Sequence, residues 1–450
     1  MKYGLMRKFL FFFLPAVIMA HMAQAGLIRD TELEDGFEAI IADMAADAGF
    51  ADGIDIRIIV DQGYNAFVQG GTSVYLHSGL LLNARSPEEI MGVIAHEIGH
   101  LAAGHVPLRS ETLKQAGVTQ AITALASAAV ALSGSADAAL GIAIGGSDRT
   151  NRAYLQKSRT DESVADEWAL RLLESQKITA AGLADVMRRM AAQSALPEAR
   201  QSIYYLTHPG ARERLATFSD HVTQTGDKDG LIKPEDRLMM ARLITKLRAY
   251  VLTETRILNS PVDISWLTED APADMADYAT AIAHYRRGDV ASARALVTGL
   301  TERVPDAYWY HEFLGDIEMA AAQIRTAASH YRDALRLKPD AAQIKLSLAR
   351  ALIALNDPSL LAEAIPLLEQ ASEGEPKWAF IKRQLAIAYG RNAQLAEADL
   401  TLAEEALLLS DNRRAVTMAR RALSHASAGP DIRTKAQDIL FGLNASSGSE

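Results

Sequence analysis

The chain of 450 residues contains no cysteine. That absence excludes disulfides, cysteine-type zinc sites, a cysteine nucleophile and a lipid-modified cysteine near the start. An excess of positive charge is also missing. Lys and Arg number 46 against 56 Asp and Glu, a formal net charge of −10, which argues against nucleic acid as a partner. Long apolar runs are lacking too. The stretch Phe9 to Ala20 has only 12 residues, where a membrane-spanning helix takes about 20. What is present is apolar content of 49%, enough for sizeable cores, in a chain long enough for two or three domains.

The apolar run follows a basic start (Lys2, Arg7, Lys8) and precedes Ala23-Gln24-Ala25, a small-x-small cleavage signal. This reads as an export signal over residues 1–25, cleaved after Ala25. The expected address is the periplasm of a Gram-negative bacterium, or the exterior of another cell; an uncleaved membrane anchor is the alternative.

The chain's strongest chemical signal is Ile94-Ala95-His96-Glu97-Ile98-Gly99-His100. It reads H-E-x-x-H inside an apolar, helix-compatible run. Residues four apart on a helix sit about 40° apart around the axis, one turn apart along it. Both imidazoles can therefore reach one metal ion. Glu97 falls close beside them, where a general base would stand next to an open coordination position. A surface helix carrying two chance histidines is the plainer reading. The apolar flanks Met91 to Ala95 and Leu101 to Ala103 oppose it, because buried polar groups need partners.

Upstream, Thr31 to Ala48 has helical period with Asp30 or Thr31 as cap. Ile54 to Val60 alternates like a strand, and Asn65 to His77 reads as a hairpin turned at Gly70-Gly71. A strand beside the motif helix is either structural or a site where a substrate backbone adds to the sheet edge. The motif helix is expected from about Pro87 to His105, capped by Ser86. On such a helix His105 would face away from His96, so it is read as capping the helix end or as a structural contact rather than as a third ligand.

The third ligand is sought in Ser158 to Ala169, where Glu162 and Asp166 lie four apart on one face. One can bind the metal while the other orients a ligand histidine through its second N–H. A solvated acidic face is the bland reading of the same run. Asp161 and Glu167 lie on other faces and are read as solvated.

His96-Glu97-x-x-His100 followed by Ser158-Arg159-x-x-Glu162-x-x-Ala165-Asp166 resembles the metallopeptidase family that includes HtpX and the CAAX prenyl protease. Asn65-Ala66-Phe67, Gly79-Leu80 and His208-Pro209-x-x-x-x-Arg214 also match. The exported form with C-terminal repeats is similar to the BepA (YfgC) branch of that family. The resemblance implies that His96, His100 and Glu162 bind one Zn2+ per chain, that Glu97 is the catalytic base, and that Asp166 stands behind a ligand. It further implies that His208 approaches the zinc and blocks its open position, keeping the enzyme latent. Against this stands a histidine merely fixed by Pro209 near the site. Arg214 is expected to pair with a carboxylate or with substrate, and Asn65 to contact site or substrate.

Ala116 to Gly146 is almost all small or aliphatic, with Asp137 its single charge. It is compatible with a packed helical pair, a lid, or peripheral contact with a membrane. Beyond residue 255 the pattern changes. Pro305 and Pro339 stand 34 apart, the TPR period. Leu314-Gly315, Ala327, Tyr331 and Ala334 fall at TPR positions, as do Ala293, Ala364, Leu368 and Ala371. Leu385-Ala386 opens another unit, and Ala415, Ala419 and Ala422 mark a later helix. Four or five helix pairs are expected, with a groove suited to recruiting protein segments.

The expectation is a mainly α protein: an α+β zincin-type metallopeptidase domain with a small sheet (26–255), a linker (256–273) and an α-solenoid of TPR repeats (274–445). The resemblance implies a periplasmic zinc endopeptidase acting on misfolded or stalled envelope proteins, with the outer-membrane protein assembly machinery as a partner through the groove. The alternative is a chaperone or assembly adaptor whose groove is the main activity and whose protease is latent.

Overall fold

A computed structural model of the protein describes residues 26–69, 71–105, 159–193, 204, 208–225, 230–259 and 273–447. The expected signal segment, the small-residue stretch 116–146 and most of the expected linker lie outside the described residues. The chain divides into two compact units, Met1–Leu252 with Pro261–Met275, and Thr253–Ser260 with Ala276–Glu450.

The first unit begins with β1 (Leu27–Ile28) and α1 (Thr31–Asp47). Asp30 caps α1 by accepting from the backbone N–H of Leu33 at 3.0 Å, which satisfies one of the orphan donors of the first turn. Strands β2 (Asp55–Ile59), β3 (Ala66–Val68) and β4 (Ser73–His77) follow. The two strands of the expected hairpin pair: Ala66 faces Leu76 and Val68 faces Val74 in antiparallel register. What the sequence pattern did not reveal is the order β1-β2-β4-β3, in which β2 runs parallel to β4. Strand β3 is therefore an edge. Alternation in β2 and β4 sends Ile56, Ile58, Val74 and Leu76 into the core, fully buried.

Next come α2 (Ser78–Asn83), α3 (Pro87–Ala102), α4 (159–175), α5 (Ala181–Gln193), α6 (Ala211–Thr225) and α7 (Pro234–Val251). Ser86 caps α3 as expected, accepting from Glu89 N–H at 3.2 Å. Glu89 in turn accepts from the Arg85 N–H at 2.9 Å and pairs with Arg189 of α5. Phe37, Leu80, Ile94, Leu183, Met187 and Ile244 join one core. That core holds α3 buried along nearly its whole length.

After α8 (Glu254–Asn259), the second unit is an α-solenoid of ten consecutive helices among the described residues. They are α9 (Ala273–Arg286), α10 (Val290–Arg303), α11 (Tyr308–Ala320), α12 (Ile324–Leu337), α13 (Ala342–Ala354), α14 (Pro358–Gly374), α15 (Ala379–Arg391), α16 (Leu395–Leu408), α17 (Asn412–Ser424) and α18 (Pro430–Ser447). The TPR positions read from the sequence are the buried ones: Ala293, Ala327, Ala334, Ala364, Leu368, Ala371, Ala415, Ala419 and Ala422 are all fully covered. Gly315 shows why small residues are required there. A Cβ on Gly315 of α11 would come within 2.4 Å of the ring of Tyr331 on α12. Among the described residues, no helix is long and apolar enough to cross a membrane.

Candidate active site

The H-E-x-x-H segment lies on α3, where His96, Glu97 and His100 are all buried. Helix α4 lies against it, and the residue that permits the approach is Gly99, inside the motif itself. A Cβ there would meet the Ala165 carbonyl at 2.6 Å and the Trp168 Cβ at 3.0 Å. With hydrogen in that place, the two helices close until Glu162 reaches both histidines. Its Oε2 lies 3.2 Å from His96 Nε2, and its Oε1 lies 3.4 Å from His100 Nε2. Those spacings are near the roughly 3.4 Å that separates donors around a tetrahedral ion bound at about 2.0–2.1 Å.

Asp166, one turn further along α4, takes the other side of His96. Its Oδ1 stands 2.9 Å from His96 Nδ1. The pair left open by spacing is thus separated by geometry: Glu162 is among the donors and Asp166 is behind one of them. Glu167 is exposed as expected. Asp161 is not solvated; it is half-buried, with Oδ1 3.8 Å from His105 Nε2.

His208 joins the donors. Its Nδ1 is 2.9 Å from Glu162 Oε2 and 3.3 Å from His96 Nε2. His96, His100, Glu162 and His208 each offer one atom within 4.8 Å of all the others. Pro209 and Gly210, the latter at φ +86°, turn the chain from His208 into α6, which carries Arg214. The Arg214 guanidinium grips Asp166 with two bonds of 2.7 Å and Glu162 with one of 3.0 Å. Of the two expected roles for Arg214, the contacts to carboxylates are the ones present.

Asn65 precedes β3. Its side-chain Nδ2 lies 3.4 Å from His77 Nε2, and its Oδ1 is buried with no hydrogen-bond partner. It is outside the donor group.

Two contacts escaped sequence reasoning. Helix α3 ends at Ala102, not at His105, and Gly104 at φ +67° reverses the chain. His105 therefore folds back, with its Nδ1 2.9 Å from His100 Nδ1. The available signal was Gly104, a residue that readily takes the left-handed conformation ending a helix. Tyr204, the second, packs its ring 4.2 Å from that of His208.

The electrostatics ask for a cation. Once the histidines are neutral, as metal ligation requires, Glu97, Glu162 and Asp166 against Arg214 carry a formal charge of −2, buried. Both Glu97 oxygens and His100 Nε2 have no hydrogen-bond partner, although such groups cost about 1–3 kcal/mol each when buried unsatisfied. Burial and Arg214 both depress His96, but its bonds to Asp166 and Glu162 outweigh them and raise it to about 9. His100 is pushed well below its usual value, mainly by burial. Glu162 is lowered despite burial, by the charge of His208 and its three histidine contacts. Asp166 is lowered against burial by Arg214 and His96. Two imidazoles, a carboxylate and a third imidazole form a donor set for a divalent ion of borderline softness. The residues present fit such an ion.

Residues 31–222 match the model of peptidase family M48. The chain is 30% identical over 176 residues to Metalloprotease LoiP of Escherichia coli (strain K12), covering 39% of this chain and 65% of that protein. It is 26% identical over 270 residues to a putative beta-barrel assembly-enhancing protease of Vibrio cholerae, covering 58% and 53%. A beta-barrel assembly-enhancing protease of Yersinia pestis is 23% identical over 368 residues, covering 81% and 72%. The chain thus spans between 53% and 72% of the length of these curated relatives. Among solved structures, MamA MSR-1 C2 gives a TM-score of 0.31 at 19% identity, covering 39% of this chain and 97% of that one. The TPR protein YrrB gives 0.29 at 19%, covering 40% and 93%. Likeness at that level supports no conclusion.

Proposed function

We propose that the peptidase family M48 domain at residues 31–222 makes this chain a zinc-dependent endopeptidase. The observation that carries the reading is Glu97: a buried carboxylate with no hydrogen-bond partner, on the same helical turn as His96 and His100 and with Oε1 3.6 Å from Nε2 of His208, a member of the donor group. His96, His100 and Glu162 would hold the zinc. When bound, such an ion acts as a Lewis acid toward a carbonyl oxygen and makes water more acidic. Glu97 takes the proton from the attacking water and returns it to the leaving amine. Asp166 fixes the orientation of His96 by accepting from its Nδ1–H, and Arg214 fixes Asp166. The edge position of β3 in the sheet supports substrate binding by strand addition.

Glu97→Gln is expected to keep zinc and to lower casein cleavage by at least about 100-fold. A chelator should silence the wild type, and added zinc should restore it. Undiminished cleavage by the variant would remove Glu97 from the role.

His208 favours a second element of the reading. A neutral imidazole is a competent zinc ligand, and His208 stands with the three other donors while its Nε2 lies 3.6 Å from Glu97 Oε1. Filling the position that water needs, it would keep the peptidase latent until moved. His208→Ala should therefore raise basal cleavage while zinc content holds.

The setting is read from relatives and residues 1–25: an exported, periplasmic protein that handles misfolded or stalled outer-membrane proteins, with the repeats recruiting them or their assembly machinery. Latency also favours an adaptor role in which the repeats act and proteolysis is minor. Complementation of an envelope-assembly defect by Glu97→Gln separates the two, since an adaptor would still function.

A further inference from the structure

We propose that His311, His330 and Asp333 form a second metal site, in the repeat unit, for a divalent transition ion of the zinc type. His311 comes from the first turn of α11, and His330 and Asp333 from α12. Being three apart on one helix, the latter two share a face. One donor atom from each of the three residues lies within 4.8 Å of the others, and all three side chains are half-buried.

The tautomer of His311 is fixed in the way a ligand requires. Its Nε2 is 2.9 Å from the Pro305 carbonyl oxygen. A carbonyl only accepts, so Nε2 carries the proton and Nδ1 carries the lone pair. That Nδ1 is buried and has no hydrogen-bond partner, and the same holds for Nδ1 of His330. Metal-ligating histidines characteristically donate their second N–H to a backbone carbonyl or carboxylate, as His311 does. Two ring nitrogens withdrawn from water and facing no protein partner are an energetic cost that a shared ion removes.

Asp333 Oδ1 pairs with the exposed Arg336 at 3.1 Å, and a carboxylate has acceptor capacity beyond one such pair. Neighbouring Glu318 is held by both Nε and Nη2 of Arg294 and is not counted as a donor. Two imidazoles with one carboxylate select zinc, nickel or copper over calcium or magnesium. Donors of a tetrahedral ion stand about 3.4 Å apart, so the group closes slightly on loading, which half-buried side chains allow. The ion would tie the two helices of one repeat together. Since every ligand lies in the repeat unit, the inference is independent of the peptidase reading.

The test counts zinc in the full-length chain after equilibrium dialysis against buffered zinc, for wild type, His311→Gln and His330→Gln. Each variant is expected to hold one zinc fewer than wild type while casein cleavage is unchanged. That difference is one ion whether or not the peptidase unit holds its own. Zinc should also raise the melting temperature of the repeat unit in the wild type and not in either variant, and Asp333→Asn should weaken the second zinc at least tenfold. Equal zinc counts in wild type and both variants, or an unchanged zinc-dependent melting shift, would overturn the proposal.

Discussion

The repeat unit and the candidate site of the peptidase unit treat charge in opposite ways. The repeat unit closes its ion pairs. Its buried carboxylates are all covered by cations: Glu405 by Arg383 and Arg414, Asp399 by Arg421 and His425, and Glu318 by both Nε and Nη2 of Arg294. Other pairs, such as Arg332 with Glu363, sit at the surface with side chains 45% and 40% exposed. The peptidase unit does the same away from its site, where Glu32 is covered by Arg242 and Lys246 and Glu89 by Arg189, but it leaves the charges of the site open. Glu97, Glu162 and Asp166 are buried against the single guanidinium of Arg214, and Glu97 has no hydrogen-bond partner at all. A scaffold settles its charges within itself; a catalytic site keeps a deficit that a bound cation completes. The His311 group is the place where the repeat unit departs from that rule.

The sharpest way to break the contrast is to remove one arginine from each unit. Arg214→Ala leaves Asp166 and Glu162 buried without their cation and should cost about 3–5 kcal/mol. Arg332→Ala removes a surface pair and should cost about 1 kcal/mol or less. Denaturant unfolding of the two variants measures both, and equal losses would erase the distinction. Glycines sharpen the comparison at a smaller scale. Gly99→Ala pushes a methyl into the Ala165 carbonyl, and should cost about 1–3 kcal/mol and weaken zinc binding by parting α3 from α4. Gly390 of α15 has nothing within 4 Å of an added Cβ, so Gly390→Ala should be neutral or stabilise by about 0.5–1 kcal/mol.

The smallest effect is a proton. In the metal-free protein His96 titrates near 9, above its ordinary 6.5. Its charged form stabilises the fold fully below 6.5, and that contribution is lost as pH rises through 9. Metal needs the neutral ring, so between these limits affinity should rise with pH. His100 is already neutral there and Glu162 and Asp166 already ionised, by the directions of their shifts. Calorimetry in buffers of different ionisation enthalpy at pH 7.5 should show about one proton released per zinc.

Much of this was legible in the sequence because it depends on local spacing. The four-residue step from His96 to His100 and that from Glu162 to Asp166 fix shared faces whatever the fold. The 34-residue step marked the repeats because each helix pair needs the same small residues, as Gly315 against Tyr331 shows. Long-range facts were not legible. Nothing local says which of Glu162 and Asp166 reaches both imidazoles; Gly99 and the closeness of α4 decide it. His105 was assigned to the wrong face because the helix was carried three residues too far, past Gly104. The parallel pairing of β2 with β4 has no signature in either strand.

The most direct measurement is anomalous diffraction at the zinc edge from crystals of the zinc-loaded full-length Glu97→Gln chain. The account predicts a peak in contact with His96, His100 and Glu162 in a protein that no longer cleaves casein. A zinc-loaded crystal with no anomalous density at those three residues would contradict it.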